Sequence, residues 1–201
     1  MVDIETIATS VDAVIIQVGA KYFEFDGENT YFPGIDVDFL MDVAVGDQVK
    51  RLKRVIDPHT IAWWMDDTKP DARVSVLSRD TSDSLFDAMS ALNNYISRAK
   101  LHSRQTDVPF GVWANSPTFD LSIIRHAMTQ LGIEPCWSYG REYDVRTLRF
   151  LNNRLELGVN YDKANGGIAH NALDDSKGQS EFVKSVFRVL NSRSQPPTKS
   201  V

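Results

Sequence analysis

The alternation of apolar and polar positions predicts strands first and helices afterwards. Met1–Glu5 alternates around Asp3 and Glu5, and Ala13–Ala20 is nearly all apolar, so the two stretches read as paired strands. Tyr22–Phe25 extends the second strand. Gly27-Glu28-Asn29 reads as a turn, and Thr30-Tyr31-Phe32 as a third strand of an antiparallel meander. Asp57-Pro58-His59 leads into a short helix over Thr60–Met65 that carries Trp63 and Trp64. Leu85, Phe86, Met89, Leu92, Tyr95 and Ile96 recur at helical spacing and predict a helix over Thr81–Ala99, capped by Ser82 or Asp83.

The second half alternates. Phe110–Ala114 reads as a central strand, Asn115–Thr118 as a loop, and Phe119–Leu131 as a helix closed by Gly132. A short strand within Trp137–Val145 precedes a helix over Arg146–Leu155. Glu156–Ala169, with Asn165-Gly166-Gly167, reads as a flexible loop, and Ala172–Leu190 as the last helix. From Asn191 the chain is rich in Ser, Pro and Lys and reads as a disordered tail. The order predicts an α/β domain over residues 1–190, a mixed central sheet flanked by helices, and a flexible tail over 191–201.

Composition narrows this picture only slightly. A chain of 201 residues can bury a proper core. The single cysteine, Cys136, excludes an internal disulfide framework. No apolar run reaches the length of a membrane span, and no signal peptide precedes Asp3, so the expected location is the cytoplasm. The net charge of −5 weighs against a nucleic-acid partner, but its distribution is uneven. Acids crowd residues 24–47, whereas Lys50-Arg51-Leu52-Lys53-Arg54 and Arg141, Arg146, Arg149 and Arg154 are basic stretches.

The candidate chemistry starts at Asp3 and Glu5. On one strand they share a face, and two adjacent carboxylates repel unless a proton or cation lies between them. Oxygen clusters of this kind suit Mg²⁺ or Mn²⁺. Asp120 opens a helix that directly follows a strand, where the helix dipole favours an anion. His170 stands on the glycine-flanked loop before the final helix, and Asp174 and Asp175 lie in that helix's first turn. Successive helical residues point about 100° apart, so only one of the two can face a site.

The ordered set Asp3-x-Glu5, Thr118-Phe119-Asp120 and His170-x-x-x-x-Asp175 resembles the DEDDh branch of the DnaQ-like, RNase H-fold 3′–5′ exonucleases. Within it, Thr60-Ile61-Ala62-Trp63-Trp64, Trp113-x-Asn115 and Tyr143-Asp144-Val145-Arg146-Thr147-Leu148 resemble the phage exodeoxyribonuclease, exonuclease VIII and exoribonuclease group. A glycine common in that pattern is Ala8 here. The resemblance implies two divalent ions, Mg²⁺ or Mn²⁺, with Asp3 bridging both. Glu5 and Asp175 complete one shell, and Asp120 supports the other. His170 acts as general base. The implied activity removes nucleoside 5′-monophosphates from single-stranded 3′ ends, with DNA slightly favoured over RNA. A phage origin would make the location the host cytoplasm.

The resemblance also implies substrate contacts. Thr6 and Ile7 touch the terminal sugar and base. Phe119 either packs under the site or stacks on a base. One of Trp63 and Trp64 is core and the other a stacking face, and we assign Trp64 to the substrate. Asn115 either hydrogen-bonds near the scissile end or caps a turn, while Asp144 and Arg146 read as an internal ion pair. Some relatives build the site across a homodimer, but no seam is visible here. The rival reading, a nuclease-fold module that binds without cleaving, fits less well because all five catalytic positions are filled.

Overall fold

β1 (Val2–Thr6) and β2 (Ile15–Lys21) pair antiparallel, with Asp3 opposite Gly19 and Glu5 opposite Gln17. In this computed structural model, residues 1–25, 37–66, 68, 70–77, 81–164 and 168–194 are described. β3 (Asp38–Asp42) adds antiparallel to β2. It is a third strand, at a place the sequence pattern did not mark. The turn and strand expected over residues 27–32 lie outside the described residues.

Helices α1 (Val45–Lys50), α2 (Pro58–Trp64), α3 (Pro70–Leu77) and α4 (Leu85–Thr106) follow. α2 begins at Pro58, inside the expected loop, because Asp57 caps it by accepting from the His59 N–H. α4 starts at Leu85 rather than Thr81. Ser84 and Asp87 form a reciprocal capping box there, and neither Ser82 nor Asp83 is the cap.

β4 (Val112–Ala114) pairs parallel with β5 (Glu142–Asp144) and lies beside β1. α5 (Asp120–Gln130) follows β4, and Gly132 past its end takes the left-handed conformation (φ 69°), as its sequence position predicts. α6 (Val145–Arg154), the short α7 (Tyr161–Ala164) and α8 (Ala172–Ser194) complete the described chain. α7 falls inside the segment expected to be a loop, and α8 continues past Asn191 to Ser194.

The result is a mixed α/β fold of the RNase H-like type, small sheets flanked by helices. Val2, Ile4, Val18 and Ala20 pack against Leu85, Met89, Leu92 and Ile96 of α4 and Leu121 and Ile124 of α5. Burying each Leu or Ile contributes on the order of 1.5–3 kcal/mol, which fixes which face of β1 is inward. Alternation then turns Asp3 and Glu5 to the opposite face, under α8. No helix among the described residues is long and apolar enough to cross a membrane.

Candidate active site

The four acids reach the site from three elements. Asp3 and Glu5 come from β1, both 8% exposed. Asp120 comes from the first turn of α5, where its carboxylate accepts from the Ser116 N–H at 3.2 Å and from the Ile4 backbone. Asp175 comes from the first turn of α8 and accepts from the His170 N–H at 3.0 Å. Its neighbour Asp174 turns the other way and holds the incoming loop through the Ile168 N–H at 3.0 Å. Asn171 caps the helix between them, accepting from the N–H groups of Leu173 and Asp174.

The four carboxylates and His170 line one cavity of about 310 Å³, with Asn115, Phe119, Arg146, Tyr161 and Gln179. Ligand atoms of Glu5, His170 and Asp175 lie within 4.8 Å of one another. Burial, then the charges of Asp120, Glu5 and Asp175, pushes the Asp3 carboxyl well above the usual range. A hydrogen bond from Gln179 opposes the rise. Burial and the charges of Asp175 and Asp120 push Glu5 up likewise. Burial lifts Asp120 to about 7 against the pull of backbone hydrogen bonds and the Arg146 charge.

This donor set fits a divalent cation. It is almost all oxygen, its charges are mutually unfavourable without a counter-ion, and one imidazole stands among them. The side-chain oxygens of Asn115 and Gln179, both on residues of the cavity wall, are buried without a hydrogen-bond donor. Buried acceptors of this kind are costly unless a donor such as an ion-bound water arrives.

His170 sits in the left-handed region (φ 63°), a costly conformation for a non-glycine residue. Its backbone N–H is tied to Asp175, and its ring meets Trp63 edge-on at 4.7 Å. Trp63 belongs to a second groove of about 450 Å³ that adjoins the first, sharing Ile4, Glu5 and Phe119 and adding Thr6, His59 and Thr60.

The expected substrate residues divide. Asn115 and Phe119 line the acidic cavity, and Thr6 lines the groove while its hydroxyl donates to Ala8 O at 2.7 Å. Ile7 lines neither; it packs against the cluster of Val14, Ile16 and Trp64. Trp64 borders the groove but is 1% exposed and donates its indole N–H to Thr6 O at 2.9 Å, so little of its ring is open to a ligand. Both tryptophans border the groove, and Trp63, 39% exposed, is the one with an open face.

Asp144 caps α6 through the N–H groups of Arg146 and Thr147 rather than pairing with the Arg146 side chain. Three cavity residues with polar side chains were missed as site residues: Gln179, Tyr161 and Arg146. Gln179 stands four residues after Asp175 on the same helical face, so its spacing was a usable signal. Tyr161 lay in a stretch with no periodicity. Of the basic run Lys50 to Arg54, Arg54 is buried and donates to Ala13 O and Gln130, while Arg51 pairs with Asp47.

The RNase H-like fold and this acid-lined pocket fit a nuclease-type hydrolase, the class that the family match shows. The chain belongs to the Rv2179c-like family, described as the 3′-5′ exoribonuclease Rv2179c-like domain, which residues 1–187 match. No curated protein matches it.

Proposed function

We propose that this chain is a DEDDh-type, metal-dependent 3′–5′ exonuclease that shortens single-stranded RNA from its 3′ end and releases nucleoside 5′-monophosphates. The observation that carries this reading is the convergence of Asp3, Glu5, Asp120 and Asp175 on one cavity with His170. The family description names RNA, and we read the substrate accordingly, in place of the slight lean to DNA drawn from the sequence. The catalytic unit, residues 1–190 by sequence, extends through the end of α8.

Asp3, Glu5 and Asp175 would hold two divalent ions, with Asp120 completing the set. When bound, Mg²⁺ or Mn²⁺ supplies charge neutralisation, a more acidic water and stabilisation of the leaving oxygen. His170 takes a proton from the water as its oxygen attacks phosphorus. The bond from phosphorus to the 3′ oxygen breaks, that oxygen takes a proton from solvent to become the new 3′-hydroxyl, His170 returns its proton to solvent, and the terminal nucleotide departs with its 5′-phosphate. Trp63 and Phe119 offer aromatic faces to the terminal base beside the scissile group.

The test uses 5′-labelled RNA and matched DNA oligomers with Mn²⁺. The reading expects a ladder that shortens from the 3′ end, faster on RNA, and abolished in His170→Ala and Asp175→Asn. Intact RNA after incubation with the unaltered protein would overturn it.

A further inference from the structure

Among the described residues, Arg146 is the one lysine or arginine on the wall of the carboxylate cavity. It stands in the first turn of α6, its backbone N–H fixed by Asp144 at 3.0 Å, and its side chain is exposed. Among the described residues that guanidinium enters no ion pair and no side-chain hydrogen bond. Three of the carboxylates accept from neutral groups. Asp3 takes the Gln179 amide at 2.9 Å, Asp120 the Ser116 N–H at 3.2 Å, and Asp175 the His170 N–H at 3.0 Å.

A guanidinium kept only as a counter-charge would be expected to fork onto one of four nearby acids, because bidentate pairs with carboxylates are its strongest contacts. It does not, yet its charge reaches Asp120 and Tyr161. The cavity therefore keeps one fork-shaped donor available at its rim. Phosphate is the planar-recognition partner that matches such a group as well as carboxylate does.

We propose that Arg146 binds the non-bridging oxygens of the substrate phosphate that enters this cavity, making it a substrate-binding residue of the nuclease. The inference rests on the exonuclease reading above. In the product the same phosphate is the 5′-phosphate of the released nucleotide, which provides a small probe. Adenosine 5′-monophosphate and adenosine are titrated calorimetrically in Mg²⁺ into the unaltered protein, Arg146→Gln and Arg146→Lys. Mn²⁺ affinity and melting temperature are measured in parallel.

Arg146→Gln should weaken the monophosphate by about tenfold to a hundredfold, the loss expected for hydrogen bonds to a charged group, and leave adenosine unchanged. Arg146→Lys should recover part of the loss, since it keeps the charge without the fork. If Arg146→Gln binds the monophosphate as the unaltered protein does, or loses both ligands equally, the inference is overturned. If the unaltered protein neither shortens RNA nor binds the monophosphate, it is the exonuclease reading that fails.

Discussion

A Cβ placed on Gly19 would lie 2.2 Å from the carbonyl carbon of Ala172 and 2.4 Å from its oxygen. The first turn of α8 therefore rests directly on the backbone of β2, and only a residue without a side chain allows it. Gly19 is also the register partner of Asp3. Gln17, one pleat away, accepts from the Ala172 N–H at 2.9 Å and donates to Asp42 at 2.7 Å. The helix that carries Asp175 and Gln179 is thus seated by the strand that faces Asp3.

Gly19→Ala should force α8 off the sheet. Overpacking of this kind costs about 1–3 kcal/mol, and a displacement near 1 Å at a reacting centre costs about a hundredfold in rate. Denaturant melts and kcat measured below the melting temperature separate the two effects. A folded Gly19→Ala protein with unaltered kcat would contradict this account of α8.

The acids set a pH dependence whose sign follows from their shifts. Asp3, Glu5 and Asp120 all hold their protons more tightly folded than unfolded. The metal-free protein therefore loses stability as pH rises from the ordinary carboxylate range, about 4, through the folded value, about 7 for Asp120. A divalent ion replaces those protons and removes the penalty. The gain in melting temperature from Mg²⁺ over EDTA should be small near about pH 5 and grow towards about pH 8. The Met1 amine, pushed down to about 5 by burial, titrates in the opposite sense. It does so with and without metal, so it cancels in the difference. A gain that is flat or falls with pH would count against a metal site here.

Gln179 holds Asp3 from the buried side, 2% exposed itself. Gln179→Leu leaves the Asp3 oxygen without its donor. Loss of such an outer partner weakens metal binding by about 10–100-fold. Calorimetric Mn²⁺ titration checks this, with Gln179→Glu as a variant of similar size that places a further acid beside Asp3. Unchanged Mn²⁺ affinity in Gln179→Leu would remove Gln179 from the site.

The two tryptophans should part company under substitution. Trp64→Ala empties a buried core position and should cost about 3–5 kcal/mol of stability. Trp63→Ala should leave the fold nearly intact and weaken oligonucleotide binding by about 1–3 kcal/mol, the worth of one base–aromatic stack. Thermal melts and fluorescence anisotropy distinguish them, and equal destabilisation by both would contradict the groove assignment.

The sequence made some of this legible and hid the rest for physical reasons. Asp3 and Glu5 share a face because strands repeat every two residues, and β1 is short and regular enough for that to hold. Gly132 was legible because helices often end on a left-handed residue, and glycine takes that conformation without strain. β3 was hidden because its polar positions carry charge. Asp38 pairs with Lys21 and Lys177 and Asp42 with Gln17, so an acidic stretch concealed a strand whose Phe39 and Met41 pack on the core. α3 escaped because its apolar residues show no helical stripe. Trp63 and Trp64 could not be told apart, since adjacent residues on a short helix differ only in which side the rest of the chain covers. Arg146 was visible as a motif residue, but the helix cap that occupies Asp144 was not.

The most direct test is anomalous diffraction from crystals grown with Mn²⁺. The account predicts manganese in the cavity between β1 and α8, ligated by Asp3, Glu5 and Asp175 with Asp120 completing the set, and no manganese there in Asp3→Asn crystals. Clear manganese peaks elsewhere on the molecule, with none in this cavity, would contradict it.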